Sequence, residues 1–214
     1  MRPDIIIGES LDGGPGELGA LVQTIRDGKL LARKVDHQAD GDVRYWGAAA
    51  SQSVVLQRLL EFSERCFLER TGTSPVLSMI MINVIDAVRS PNGSGGGWHR
   101  DSFNGQFKGF AYLSDVMSEA QGAFAFVPRS NNPVLRLASL VHRITSRENR
   151  YSDTFVNTLA SIGFARVPVL LKAGIPFFVD TSLIHRGLPI LEGRRLMATV
   201  YMYDEAPKDF APLM

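Results

Sequence analysis

The segment from Leu77 to Val88 constrains the fold more than any other. It is dense in Met, Ile and Val and has no polar helix face. A short continuous apolar run of this kind predicts a strand buried on both sides. Further short apolar stretches follow at 107–114, 122–128, 166–171, 175–180 and 195–203. Turn residues punctuate them at Asn104-Gly105, Pro128 to Pro133, Ala173-Gly174 and Glu192-Gly193. Many short strands with such punctuation predict a sandwich or barrel.

The first third reads differently. Leu11 to Gly16 is a turn-rich opening. Leu18, Leu21, Val22 and Ile25 then recur at helical spacing, and Gly28 is a stop signal. Residues 34–50 read as loop with one short strand. A second helix has Val55, Leu59, Phe62 and Cys66 on one face and Gln57, Arg58, Glu61, Arg65 and Glu69 on the other. Gly72 and Pro75 close it. Between 133 and 163 the strand spacing breaks. Leu137, Leu140, Val141 and Ile144 predict one amphipathic helix. Phe155, Val156, Leu159 and Ile162 predict another, N-capped by Ser152 or Asp153. No repeat or linker divides the chain. The expectation is a mainly β fold with flanking helices over 1–214, with a helical layer at about 1–75, a barrel at about 76–214 and a helical insertion at about 129–165. The insertion is expected to cap the pocket, with padding of the barrel's outside as the alternative.

Charge narrows the function. Lys and Arg total 23 against 22 Asp and Glu, a net charge of +1. That balance gives no electrostatic footprint for nucleic acid or an anionic membrane. The single cysteine, Cys66, cannot form an internal disulfide, which fits a reduced, cytoplasmic setting. Ile5 to Ile7 is too short for a signal segment, and no apolar stretch approaches the length of a membrane span.

Of four histidines, His37 lies in a polar segment and His142 on an amphipathic helix, where solvated surface roles suffice. His99-Arg100-Asp101 follows the glycine-rich stretch 89–97. In extended backbone, positions 99 and 101 point to one side, so an imidazole and a carboxylate can reach one cation. Taken alone, the spacing favours a surface turn. His185 changes the balance. It ends the apolar run from Ile175, and Arg195 opens another strand ten residues on. Two histidines and one carboxylate with open positions form the facial triad of non-haem Fe(II) oxygenases. An arginine on the next strand suits a distal carboxylate.

From about Leu77 to Tyr203 the sequence resembles the phytanoyl-CoA dioxygenase-like family of Fe(II)/2-oxoglutarate-dependent oxygenases. The resemblance rests on Gly97-Trp98-His99-Arg100-Asp101, on the run Phe107 to Asp115, on Gly122 to Pro128, and on His185-Arg186-Gly187 followed by Arg194 to Tyr201. It implies a double-stranded β-helix, the jelly-roll or cupin-like barrel, with Fe(II) held by His99, Asp101 and His185. It implies 2-oxoglutarate and O2 as co-substrates, with release of succinate and CO2. Arg195 would grip the far carboxylate of 2-oxoglutarate, with Arg194 as its rival. Lys108 and Thr199 would help hold the co-substrate, and a solvated edge lysine is the alternative for Lys108. The family's usual Gly-Ser-His after the proline is replaced here by Arg129-Ser130-Asn131. Arg129 and Asn131 are therefore either substrate contacts or turn residues. Trp98, Tyr45 and Trp46 are candidate pocket walls. Asp101 argues for hydroxylation of a small-molecule C–H, because related halogenating enzymes lack that carboxylate.

Three other readings are weighed. A protein-kinase catalytic loop needs Asn five residues after the Asp, where this chain has Gln106. A hydrolase holding Zn(II) on the same three residues is an alternative enzyme. A barrel that binds without catalysis is the alternative outside enzymology. The sequence does not specify a substrate or an oligomeric state.

Overall fold

In the structure, a computed structural model, the described residues are 3–14, 16–37, 42–87, 97–103, 105–146 and 150–205; the side chains at 36–37 and 142–146 lie outside that description. In chain order the first elements are strand β1 (Ile5–Ile7), helix α1 (Glu17–Arg26), the strands β2 (Arg33–His37) and β3 (Asp42–Trp46), and helix α2 (Val54–Thr71). Then come β4 (Leu77–Asp86), β5 (Trp98–His99), β6 (Phe107–Tyr112) and β7 (Phe124–Phe126). Next are α3 (Pro133–Ser146), β8 (Arg150–Tyr151) and α4 (Asp153–Ser161). The chain closes with β9 (Val167–Val169), β10 (Pro176–Asp180), β11 (His185–Gly187) and β12 (Arg194–Tyr203).

The spine is the pairing of β4 with β12, which runs in unbroken antiparallel register from Leu77 opposite Tyr203 to Asp86 opposite Arg194. Around it a seven-stranded sheet forms in the order β1-β10-β6-β12-β4-β3-β2. A second, five-stranded sheet has the order β8-β5-β11-β7-β9. The two antiparallel sheets face each other in a jelly roll, as expected.

Side chains alternate between faces along each strand. On β12 and β4, Leu196, Ala198, Val200, Ile80 and Ile82 turn outward and join one apolar cluster with Leu56, Leu59, Phe62 and Phe67 of α2 and Leu21 and Ile25 of α1. The helix-bearing face requires close approach. A Cβ on Gly109 of β6 would lie 1.8 Å from Ser63 Oγ of α2, so only glycine fits there. The Ser63 hydroxyl donates to Leu59 O at 2.6 Å within its own helix. On the inner face, Phe110, Tyr112, Phe177 and Met197 join a second cluster with Phe124 and Phe126 of the small sheet.

Several expectations are refined. The N-terminal part is not helical alone. Ile5–Ile7 pairs with β10, and residues expected as loop form the β2–β3 hairpin on the edge of the large sheet. Local polarity hid that hairpin: the edge strand β2 exposes Arg33 and Lys34, and β3 carries Asp42 and Arg44. His37 falls on β2, and the side chains of His37 and His142 lie outside the described residues. So do residues 88–96, most of the glycine-rich stretch, and Asn104.

The insertion also differs. Trp98 precedes His99 and Arg186 follows His185, so both face away from the imidazoles. Asp153 at the start of α4 accepts from Trp98 Nε1 at 2.8 Å and from Arg186 Nη1 at 2.9 Å. On the same side the buried Arg100 donates to the carbonyls of Ser182 and Ser130, and to Ser139 Oγ of α3 at 3.1 Å. These contacts seat α3 and α4 as a buttress on the side of the small sheet that faces away from the imidazoles. Leu135 and Ser139 face inward on α3, while Leu137 and Leu140 of the expected apolar stripe are exposed. The buried polar anchor at Arg100 sets the rotation of that helix. Among the described residues no helix is long and apolar enough to cross a membrane.

Candidate metal centre

His99 and His185 are register partners across β5 and β11. Opposed residues share a face, so both rings project inward, with centroids 4.4 Å apart. Asp101 follows β5, fixed by its backbone N–H to Thr181 O at 3.1 Å. Its Oδ1 lies 3.6 Å from His99 Nε2, and its Oδ2 lies 3.6 Å from His185 Nε2. One ligand atom from each of the three side chains lies within 4.8 Å of the others.

Backbone carbonyls set the tautomers. Nδ1 of His99 is 2.9 Å from Gly97 O, and Nδ1 of His185 is 2.9 Å from Leu183 O. A carbonyl oxygen only accepts, so each Nδ1 carries the proton and each Nε2 turns a lone pair toward Asp101. Two lone pairs and a carboxylate converging in this way are complementary to a divalent cation. Burial pushes the His185 imidazole down to about 3, against the pull of Asp101, which keeps the ring neutral as a metal ligand must be. Burial also pushes the Asp101 carboxyl up, but His99, His185 and Lys108 outweigh it and hold the group well below the usual carboxylate range. Phe124 stacks on His185 at 5.4 Å between centroids and closes the site from the barrel interior.

The inner face of the large sheet forms the opposite wall. Lys108 pairs with Tyr201, Phe110 with Thr199, and Tyr112 with Met197. Beyond β12, Thr199 is flanked by Met81, Met197 by Asn83, and Arg195 by Ile85. Lys108 Nζ reaches Asp101 Oδ2 at 2.7 Å and lies over the Tyr201 ring at 4.4 Å from its centroid. Burial works against the Lys108 ammonium, and Tyr201 and Asp101 overcome it, so its pKa is raised. Thr199 Oγ1 is buried without a hydrogen-bond partner.

The rival arginines part company. Arg195 is 1 % exposed and points inward, where its guanidinium donates to Gly122 O. Burial lowers its pKa, opposed by Tyr112 and Asp42. Gly122 has a φ of 76°, and a Cβ there would stand 3.5 Å from Arg195 Nη1 and 3.2 Å from Ile190, so glycine lets the arginine pass. Arg194 turns to the outer face and pairs with Asp86 at 2.9 Å.

Other candidates lie elsewhere. Trp98 packs on the reverse side of the small sheet. Arg129 is exposed, and its backbone N–H donates to Asp4 Oδ2 at 2.9 Å. Asn131 Nδ2 donates to Asp180 Oδ2 at 3.0 Å, so it braces a turn. Tyr45 belongs to the outward cluster, whereas Trp46 turns inward and meets Tyr201 at 5.6 Å between ring centroids. Sequence reasoning missed Asp42, Arg44, Asn83 and Tyr201. Asp42 is 1 % exposed and pairs with Arg44 at 2.6 Å on the inner face. Asn83 Oδ1 is buried without a partner. A polar residue in the middle of an otherwise apolar strand was the available signal for Asn83. No signal marked Asp42 or Arg44, because their strand read as loop.

No family model matches the sequence, and no curated protein does. Solved structures do share the fold. HygX from Streptomyces hygroscopicus, solved with nickel and 2-oxoglutarate bound, superposes with a TM-score of 0.53 at 18% identity over 94% of this chain and 83% of its own. SnoN, a non-haem alpha-ketoglutarate-dependent epimerase of nogalamycin biosynthesis, gives a TM-score of 0.58 at 18% identity over 100% of this chain and 89% of its own. SnoK, an alpha-ketoglutarate-dependent carbocyclase of the same biosynthesis, gives 0.56 at 15% identity over 94% and 82%. The barrel architecture is the one these proteins use. At such identities the likeness is one of fold.

Proposed function

We propose that this chain is a cytoplasmic non-haem Fe(II)/2-oxoglutarate-dependent dioxygenase, built as one domain, that hydroxylates a C–H of a small-molecule substrate. The convergence of His99 Nε2, His185 Nε2 and the Asp101 carboxylate carries the reading. These three residues would hold Fe(II). Bound Fe(II) with 2-oxoglutarate supplies oxidative chemistry that releases succinate and CO2.

The protein's own work is binding and exclusion. Gly97 O and Leu183 O fix the histidine tautomers, so the ligands are preorganised before any ion arrives. Arg195, buried and permanently charged, is the partner for the distal carboxylate of 2-oxoglutarate, and the unpartnered Thr199 hydroxyl faces the same interior as a further donor. Phe110, Phe124 and Phe177 pack ring against ring beside the centre and keep water from it. Trp46 and Tyr201 line the wall at the Lys108 end, where a substrate would lie. The retained Asp101 supports hydroxylation. The fold neighbours include an epimerase and a carbocyclase, so product analysis is the deciding measurement.

The test is 2-oxoglutarate turnover with Fe(II) and O2, followed as succinate. The wild-type protein is expected to form succinate and to incorporate oxygen into a substrate found by metabolite screening. His99→Ala and Asp101→Ala are expected to lower turnover by more than about 10³-fold with the fold intact by circular dichroism. Full turnover in either variant, or Zn(II)-supported hydrolysis without O2, overturns the assignment.

A further inference from the structure

Lys108 is the one buried lysine among the described residues, at 8 % exposure. An ammonium in such a place is costly unless a charge or a ring face compensates it. Here both do, and the charge belongs to a residue of the candidate metal centre. The two oxygens of Asp101 are not equivalent. Oδ1 lies 3.6 Å from His99 Nε2 and, among the described residues, has no lysine or arginine beside it. Oδ2 lies 3.6 Å from His185 Nε2 but only 2.7 Å from Lys108 Nζ, a charge-assisted hydrogen bond. The Tyr201 ring beneath the ammonium and the rigid pairing of β6 with β12 hold the lysine at that height.

Resting on the reading above, we propose that Lys108 is a positioning residue that holds Asp101 to one-oxygen coordination, by occupying Oδ2 and leaving Oδ1 for the metal. A carboxylate that chelates through both oxygens takes two coordination positions. One held to a single oxygen takes one. With two histidines, that difference decides whether a six-coordinate ion keeps three positions or two for exogenous ligands. A bidentate co-substrate and O2 need three. This role differs from a direct contact between Lys108 and 2-oxoglutarate, because it acts on the protein–metal complex before any co-substrate is present.

That difference makes it testable with Co(II) alone. The protein is loaded anaerobically, and Co(II) affinity and the visible d–d absorption are measured without 2-oxoglutarate; the co-substrate is then titrated in. Lys108→Met removes the like-charge neighbour and frees Oδ2. The expected result is Co(II) bound about tenfold more tightly. The d–d bands should shift as the second Asp101 oxygen displaces a solvent ligand, and 2-oxoglutarate should bind the Co(II) form at least about tenfold more weakly. Lys108→Arg keeps a cationic donor and should stay near wild type in all three. Unchanged Co(II) affinity and spectrum in Lys108→Met, with only 2-oxoglutarate binding reduced, makes the lysine a co-substrate contact and overturns the proposal. Should Lys108→Met fail to fold, a crystal structure of the wild-type Co(II) protein decides. Asp101 bound through one oxygen, with the other on Lys108 Nζ, supports the proposal, and a chelating Asp101 overturns it. A wild-type protein that binds no Co(II) defeats the metal-centre reading itself, a separate failure.

Discussion

The two faces of the seven-stranded sheet are built by the same strands and obey different rules. Outward, Ile80, Ile82, Leu196, Ala198 and Val200 meet α1 and α2 in an uninterrupted apolar layer. Inward, one residue along each strand, stand Lys108, Asn83, Arg195 and Thr199, all buried. A layer serving only stability would not carry these groups, since each buried polar atom must recover the water it lost. The outward face is explained by packing. The inward face carries charges and hydroxyls that apolar packing does not require, and under the proposed function a ligand meets them.

If that division is right, substitutions on the two faces should separate stability from binding. The largest effect is expected outward. Ile82 is fully buried, and Ile82→Ala should cost about 2–5 kcal/mol in urea unfolding, with metal affinity retained. Loss of metal binding together with stability would dissolve the distinction. Tyr112 probes the aromatic floor between the faces. Its hydroxyl donates to Val169 O at 3.0 Å and accepts from Phe124 N–H at 2.7 Å, and burial pushes its pKa up to about 12. The unfolded phenol ionises near 10, so this stability is complete below that pH and declines as the pH rises toward 12, by about 3 kcal/mol in all. Tyr112→Phe should flatten that alkaline decline in pH-dependent unfolding. Inward, Arg195→Ala should weaken 2-oxoglutarate binding about 10- to 100-fold by calorimetry. Its neighbour Arg194 gives the smallest effect. Arg194→Ala removes only a surface pair with Asp86 and should shift stability by under about 1 kcal/mol and leave 2-oxoglutarate binding unchanged.

Legibility in the sequence followed the same line. The outward packing and the main strands could be read because apolar periodicity is local: Leu77–Asp86, Phe107–Tyr112 and Pro176–Asp180 fall within the expected stretches, and Arg194–Tyr203 begins one residue before its own. The three ligand candidates were legible because two lie two residues apart and the third ends an apolar run. The β2–β3 hairpin was not, since its polar residues give no local apolar period and its pairing partner β4 is distant in sequence. Spacing favours Arg195 over Arg194, because it stands an even number of residues from Thr199 and Tyr201. The register of β12 against β4 then shows that this face is the inward one. Trp98 was misassigned because adjacency to His99 in sequence means opposition in a strand.

Asp153 has a wider consequence. It sits at the exposed start of α4, yet it grips the residues next to both histidines, each on a different strand. One carboxylate thus ties β5 to β11 from the side of the small sheet that faces away from the imidazoles. Replacing Asp153 would cut that tie while leaving in place every side chain that faces the imidazoles.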